Sequence, residues 1–177
     1  MKIWIGLGWE LNKDIFEEDI DVDLTAFQLN KEGKVNTEND FIFYNNPVSD
    51  TGSVRFTGDN KIGSTAGNNL DNEIIEIDTD KIPDYVDRII ITASIYEAEK
   101  RKQNFAMVLN AYARVIQEND DELIRYDLSE DFSYDKSVLI GEIIRQDENL
   151  FKFNLLGTSF EGELGGLCEK YGLYVND

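Results

Sequence analysis

The 177-residue sequence has no histidine, one cysteine, two prolines and only 17 lysines and arginines against 36 aspartates and glutamates. Without histidine the chain has no Ser–His–Asp or Cys–His catalytic arrangement and no histidine-ligated zinc. The lone Cys168 cannot form a disulfide within the chain, and such sparing use of cysteine is typical of a reducing compartment. These absences exclude histidine-dependent hydrolases and the common zinc enzymes.

Long apolar runs are missing as well, and none approaches the ~20 residues that a membrane span needs. The first residues, MKIWIGLGWELNKD, lack the apolar core and the cleavage site of a signal peptide. We therefore expect a cytoplasmic protein with no direct membrane insertion. Its net charge of −19 disfavours binding to nucleic acids and anionic lipids, and it makes cations the natural partners.

Apolar and polar residues alternate with a period of two through most of the chain, a pattern that predicts β-strands. The segment 88–96 is apolar almost throughout, which favours a central strand buried on both faces. Segment 104–117 fits either a strand or a helix, and its longer alternation favours a strand. We predict strands over 3–9, 22–30, 40–46, 53–58, 72–78, 88–96, 104–117 and 123–128, and a hairpin of 137–145 and 150–156 with a four-residue loop.

Only the C-terminal part has a clear helical period. Leu164, Leu167, Cys168 and Tyr171 are spaced i, i+3, i+4 and i+7, and Gly172 is a suitable helix end, so a helix is predicted over 161–172. A shorter helical turn is predicted over 97–103. The chain is therefore expected to form one mainly β domain, residues 1–177, an antiparallel β-sandwich with the amphipathic helix covering an open side.

The segment 58–72 is the longest predicted loop, and it is rich in oxygen-bearing side chains. Calcium and similar hard cations take six to eight oxygen ligands from carboxylates, amides and carbonyls, which this segment together with Glu73 supplies. It has no EF-hand pattern. The same composition also fits an asparagine- and glycine-rich turn with a solvated face. The residues concerned are Asp59, Asn60, Asn68, Asn69, Asp71, Asn72 and Glu73, with Gly58, Gly63 and Gly67 between them.

A second acidic cluster, at 17–23, has five carboxylates in seven residues. Asp21 and Asp23 share one strand face, because alternate residues of a strand point the same way. Two neighbouring carboxylates repel each other unless a cation, a base or a shared proton offsets the repulsion. One interpretation is an exposed strand entrance, and the other is that both residues share an ion with the 59–73 loop.

The chain contains, in this order, the motifs GLGWELN, DVDLTAF, DFIFYNN, GSVRFTGDN, DNE, EAEKRKQNF and RYDLSED, followed by the closing helix. In this order of motifs it resembles the TerD family, the tellurium-resistance and general-stress proteins, over essentially its whole length. The resemblance implies a calcium-binding β-sandwich with no established enzymatic activity, associated with bacterial resistance to tellurite and other stresses. Position by position, it carries calcium-ligand roles onto Asp21, Asp23, Gly58, Asp59, Asn60, Asp71 and Glu73.

One stretch departs from the family pattern. The segment GSTAGNNLDNE is longer and less acidic than the usual run, with Asn69 and Asn72 where aspartates are expected. Amide oxygens still bind calcium, but fewer charges weaken a site. We therefore expect one occupied site or a weak pair. The predicted metal ligands are Asp21, Asp23, Gly58, Asp59, Asn60, Asn69, Asp71 and Glu73.

These features together predict a calcium-binding, non-enzymatic bacterial stress-response protein that acts through other stress-response proteins. One alternative is a carbohydrate-binding β-sandwich in which calcium orders the loops and Trp4 or Trp9 stacks on a sugar; exposed tryptophans would favour it. Another is a hydrolase that uses a carboxylate pair such as Asp59 and Glu73; a deep cleft between two carboxylates would favour it.

Overall fold

The computed structural model describes residues 1–10, 20–58 and 71–174. In these ranges ten strands form two five-stranded sheets, in the orders β4-β5-β1-β7-β8 (sheet A) and β10-β9-β6-β2-β3 (sheet B). The strands are β1 (Lys2–Glu10), β2 (Val22–Leu29), β3 (Phe41–Ile42), β4 (Val54–Phe56), β5 (Glu73–Asp78), β6 (Arg88–Ile95), β7 (Leu109–Gln117), β8 (Glu122–Asp127), β9 (Ser137–Asp147) and β10 (Leu150–Phe160).

All neighbouring strands are antiparallel, and the core lies between the two sheets. The alternation read from the sequence decides which side chains enter it. Ile3, Ile5 and Leu7 of β1 meet inward-facing residues such as Leu24 of β2 and Ile91 of β6. The prediction of a mainly β, antiparallel sandwich is confirmed.

The strand β6 lies in the middle of sheet B, between β9 and β2, as its apolar sequence predicts. The inner face of β6 packs against sheet A. On its outer face, Ile90 packs under the C-terminal helix α3 (Leu164–Lys170). Leu167, Cys168 and Tyr171 are buried there with Phe27, and Leu164 packs at the margin. The amphipathic helix is thus confirmed, although it is shorter than the predicted 161–172.

The two shorter helices are single turns. α1 (Ala98–Arg101) lies inside the predicted helical turn 97–103. α2 (Leu128–Asp131) begins after Asp127, whose side chain accepts a hydrogen bond from the Glu130 N–H. Among the helices of the described ranges, none is long and apolar enough to cross a membrane.

Three predicted elements differ from the structure. The 40–46 strand is reduced to β3, because Phe43 and Asn46 pair with each other in a tight turn and the Asn46 amide donates to the Phe41 carbonyl. The 104–117 strand begins only at Leu109, since a 3₁₀ turn, Phe105–Met107, first inserts Phe105 into the core. The hairpin loop has two residues, not four, because β9 continues to Asp147 and β10 starts at Leu150.

Candidate functional site

The predicted ligand residues that the structure describes lie at one end of the sandwich, which we call the acidic end: Asp21, Asp23, Gly58, Asp71 and Glu73. Register places the C-terminal part of β1 beside the start of β5, because Leu7 pairs with Glu73, and β4 ends beside them. Asp59, Asn60 and Asn69 lie outside the described residues.

Asp23 is the most deeply buried member of this end on sheet B, with 5% of its surface exposed. It points to the outer face of the sheet, opposite in direction to its core-facing neighbours Val22 and Leu24. Burial, together with the nearby Asp21 carboxylate, raises the pKa of Asp23 to about 6.

A polar row extends from Asp23 across sheet B. Asp23 is paired with Ser94 of β6, and Ser94 is paired with Ser137 of β9, so all three side chains lie on the same face. Both serines are fully buried, and neither Oγ has a hydrogen-bond partner within the described part of the chain. In the next row Thr25 and Thr92 satisfy each other, with Oγ1 atoms 2.7 Å apart.

This polar row suits a hard cation. One carboxylate and two neutral hydroxyl groups, all buried, offer only oxygen atoms, which calcium and similar ions prefer. Buried polar atoms are normally hydrogen-bonded, so the two serine oxygens require a partner of some kind. Ser94 and Ser137 were not among the predicted site residues. The signal for Ser94 was a serine within the mostly apolar strand RIIITASI.

Glu73 connects the two sheets at the acidic end. It begins β5 in sheet A, and its Oε2 accepts a 2.6 Å hydrogen bond from the N–H of Leu24, the residue after Asp23 in sheet B. The start of the preceding loop is held nearby, because the N–H of Thr57 donates to the Ile74 carbonyl at 2.9 Å. Gly58 follows with a φ of +61°, a conformation that favours glycine.

Asp71 has a different environment, in the outer face of sheet A. The Arg114 guanidinium approaches it side-on, with Nη2 2.6 Å from Oδ2 and Nε 2.9 Å from Oδ1. The Tyr112 hydroxyl also donates to Oδ1 at 2.9 Å. Burial and this hydrogen bond raise the pKa of Tyr112 to about 12. The charge of Asp71 is therefore already compensated by an arginine, which argues against a role as a calcium ligand.

The strand β1 makes room for this ion pair. A Cβ atom at Gly6 would lie 2.4 Å from an Asp71 carboxylate oxygen, and one at Gly8 would lie 2.3 Å from the Tyr112 ring. Arg114 also faces Glu122, with Nη1 3.4 Å from Oε2, and Arg125 holds Glu122 at 2.7 Å. Arg114 and Tyr112 were not among the predicted site residues. The sequence features that could have indicated them are an arginine in the largely apolar strand β7 and the alternating glycines of GLG in β1.

The described residues do not complete a metal centre by themselves. Within residues 1–10, 20–58 and 71–174, no group of three or more histidine, cysteine, aspartate or glutamate side chains could hold a metal ion. The polar row fits a cation on sheet B, and Glu73 is held near its Asp23 end, because its hydrogen-bond partner Leu24 is the residue after Asp23. Further oxygen ligands would have to come from predicted residues outside the described ranges.

The two alternative functions, sugar binding and hydrolysis, depend on the tryptophans and on a carboxylate pair. Trp9 is half-buried and packs against the core, and its backbone N–H donates to Asn72 Oδ1 at 2.9 Å; Trp4 is half-buried as well. Neither is the exposed tryptophan that would favour sugar binding. The Asp59–Glu73 pair proposed for a hydrolase has one member outside the described residues. Cys168, on the buried face of α3, is packed against sheet B, and burial raises its pKa to about 11.

Comparisons with known proteins agree with this architecture. The TerD domain family model matches residues 1–171. General stress protein 16U of Bacillus subtilis (strain 168) is 39% identical over 175 residues, covering 98% of this chain and 89% of its own. Tellurium resistance protein TerD of Serratia marcescens is 40% identical over 172 residues, covering 97% and 87%.

A solved structure shows the same fold. It is described as a homologue of telluride resistance protein (TerD) from Streptomyces coelicolor A3(2), and it superposes with a TM-score of 0.76. The superposition covers 97% of this chain and 95% of the other, at 14% sequence identity. At that identity the likeness concerns the fold alone.

Proposed function

The chain belongs to the TerD family, whose members include tellurium-resistance and general-stress proteins, and we propose that it is a calcium-binding, non-enzymatic stress-response protein acting through protein partners. The proposal includes a cytoplasmic location and no nucleic-acid ligand. A net charge of −19 supports both cation binding and the exclusion of phosphate backbones.

The observation that carries the calcium proposal is the buried polar row. Asp23 is an acid placed out of water beside a second carboxylate, Asp21, and its row continues into two buried hydroxyl groups without partners in the described ranges. Burying a charge without compensation is costly, so a bound cation would relieve the repulsion between the two carboxylates and would give the Ser94 hydroxyl, next to Asp23 in the row, a partner.

The proposed ligands are Asp21, Asp23 and Glu73, helped by the Ser94 hydroxyl, the Gly58 carbonyl and the predicted residues Asp59, Asn60 and Asn69. Bound calcium would supply positive charge that offsets the carboxylates and would join the two sheets at this end. With two amides among the ligands, the site has fewer charges than an all-carboxylate site, so we expect weak to moderate affinity. Magnesium should bind less well, because it demands strict octahedral geometry.

Supporting the non-enzymatic part of the proposal, the chain has no histidine to act as a general base near neutral pH, and its one thiol is buried with a raised pKa. Of the described carboxylates at the acidic end, Asp71 and Glu73 accept hydrogen bonds from protein donors. With no reaction proposed for the chain, a partner protein is the proposed route from calcium binding to a cellular effect.

Calorimetric titration of metal-stripped protein with calcium tests this proposal. We expect binding heat for the native protein, and a melting temperature that rises with millimolar calcium, rises less with magnesium and falls back with chelator. Asp23→Asn should remove most of the calcium response. Asp120→Asn is the matched control, since Asp120 is exposed and its left-handed backbone (φ +63°) suits asparagine.

Two results would contradict the proposal. Flat titration heats together with coincident melting curves in calcium, magnesium and chelator would show that this chain binds no calcium. A calcium response that persists in Asp23→Asn, Asp59→Asn and Glu73→Gln would place the ion elsewhere.

A further inference from the structure

Three consecutive residues, Asp71, Asn72 and Glu73, are each held by a different strand. Asp71 is held by Arg114 and Tyr112 of β7. The N–H of Asn72 donates to the Leu7 carbonyl of β1 at 2.7 Å, and its Oδ1 accepts from Trp9. Glu73 reaches Leu24 of β2. These residues rejoin the sandwich directly after the predicted ligand loop, so their positions set where its C-terminal end lies.

Arg114 makes the strongest of these contacts. Its side chain is 3% exposed and grips both oxygens of Asp71 through Nε and Nη2, an orientation that fixes direction as well as distance. Burial alone lowers the pKa of Arg114, but its hydrogen bonds to Asp71 more than offset this, so the pKa is above its ordinary value. The guanidinium is therefore a permanent internal cation.

The residues around Arg114 leave space for its contact with Asp71 and balance its charge. Gly6 is paired with Arg114 in the sheet, and it leaves the space that the Asp71 carboxylate fills. Glu122 balances the outer side of the guanidinium. Replacing a buried ion pair with apolar residues is often neutral or stabilising, so the pair is a poor way to gain stability alone. Its directional contact is better explained by the position that it imposes on residues 71–73.

We propose that Arg114 is a positioning residue for the calcium site: it holds Asp71 away from the ion and thereby fixes Glu73 beside β2, next to Asp23. This inference rests on the proposed function. Groups that hydrogen-bond directly to a metal ligand change metal affinity by about 10- to 100-fold when they are replaced. Arg114 reaches Glu73 only through Asp71 and the backbone, so its effect belongs at the lower end of that range. A ligand that is already in place also binds without the entropy cost of ordering it.

The test uses Arg114→Lys, which keeps the positive charge but loses the two-pronged geometry, and the double variant Arg114→Gln/Asp71→Asn, which leaves no unpaired buried charge. Arg125→Lys is the matched control, because Arg125 lies on the neighbouring strand and pairs with Glu122 instead of Asp71. Calcium dissociation constants are measured by calorimetry on the metal-stripped full chain, at a temperature where circular dichroism shows every variant folded.

We expect calcium affinity to fall about 10-fold in both Arg114 variants and to stay unchanged in Arg125→Lys. A lower melting temperature in chelator with unchanged affinity would make the ion pair merely structural and overturn the proposal. Tighter calcium binding in Arg114→Lys would overturn it too, because Asp71 would then be a ligand that Arg114 restrains. If the unaltered protein gives no calcium heat, the proposed function fails and this inference with it.

Discussion

The carboxylate of Glu73 and the backbone N–H of Leu24 join the two sheets of the sandwich through a 2.6 Å hydrogen bond. Glu73 begins β5, whereas Leu24 lies in the part of β2 that β3 does not cover, since β3 pairs only with Ala26 and Phe27. A side chain from one sheet therefore satisfies the open edge of the other, at the end where the predicted calcium ligands gather.

Removing this carboxylate should destabilise the protein even without metal. We expect Glu73→Ala to lower the free energy of unfolding by about 1.5–3 kcal/mol, the range for hydrogen bonds to charged groups. Glu73→Gln should cost less, because its amide oxygen still accepts. Denaturant unfolding in chelator measures both. Glu76→Ala, on the same strand, should stay within about 0.5 kcal/mol; an equal loss there would remove the special role of Glu73.

The close approach of the Asp71 carboxylate to Gly6 predicts that this position tolerates no side chain. Gly6→Ala should cost about 1–3 kcal/mol, because its methyl group would overlap the Asp71 carboxylate and push it from Arg114. Gly165→Ala, in α3, has no atom within 4 Å of the new carbon and should be neutral or stabilising by up to about 1 kcal/mol. Thermal and denaturant melts compare the stabilities of the two variants. Equal stabilities would show that Gly6 has room for a side chain.

A buried charge in the middle of sheet B should be severe. Ile90 of β6 is 4% exposed and packs with Phe27 and Leu167 under α3, so Ile90→Asp should cost roughly 3–5 kcal/mol. Leu150→Asp adds the same charge at a residue that is 60% exposed, and it should cost about 0.5 kcal/mol or less. A loss under about 1 kcal/mol for Ile90→Asp, measured by denaturant unfolding, would argue against the packing of α3 on this face.

The thiol of Cys168 should be unreactive in the native protein. Burial raises its pKa to about 11 in the folded state from an ordinary value near 9, so the protonated thiol is favoured by folding. This contribution to stability is complete below pH 9 and is lost as the pH rises toward 11. Iodoacetamide at pH 8 should therefore label the native chain far more slowly than the chain in denaturant, whereas equal rates would show an accessible thiol.

Much of the fold was predictable because the signals are local. Alternation with a period of two placed eight of the ten strands close to their observed bounds, and the i, i+3, i+4, i+7 spacing around Leu167 identified α3. The errors occurred where a tertiary demand overrides the pattern. Phe105 is drawn into the core by a 3₁₀ turn, and Asn46 closes a tight turn that ends β3 early.

The candidate site was only partly predictable. Acidic residues and the family resemblance pointed to Asp21, Asp23 and Glu73, and the structure brings the segments that carry them to one end. The ion pair of Asp71 was not predictable, because nothing in a run such as LDNE shows which carboxylate has an arginine partner. Its partner Arg114 lies 43 positions away along the chain.

The sequence by itself determined the charge, the absence of histidine chemistry, the mainly β pattern and the family. These depend on residue type and on spacing over a few positions. Only the tertiary structure decided that Asp23, Ser94 and Ser137 form one buried row and that Asp71 faces Arg114 above Gly6. Both arrangements depend on the register between strands that are distant in the chain, and register is set when apolar faces pack into a common core.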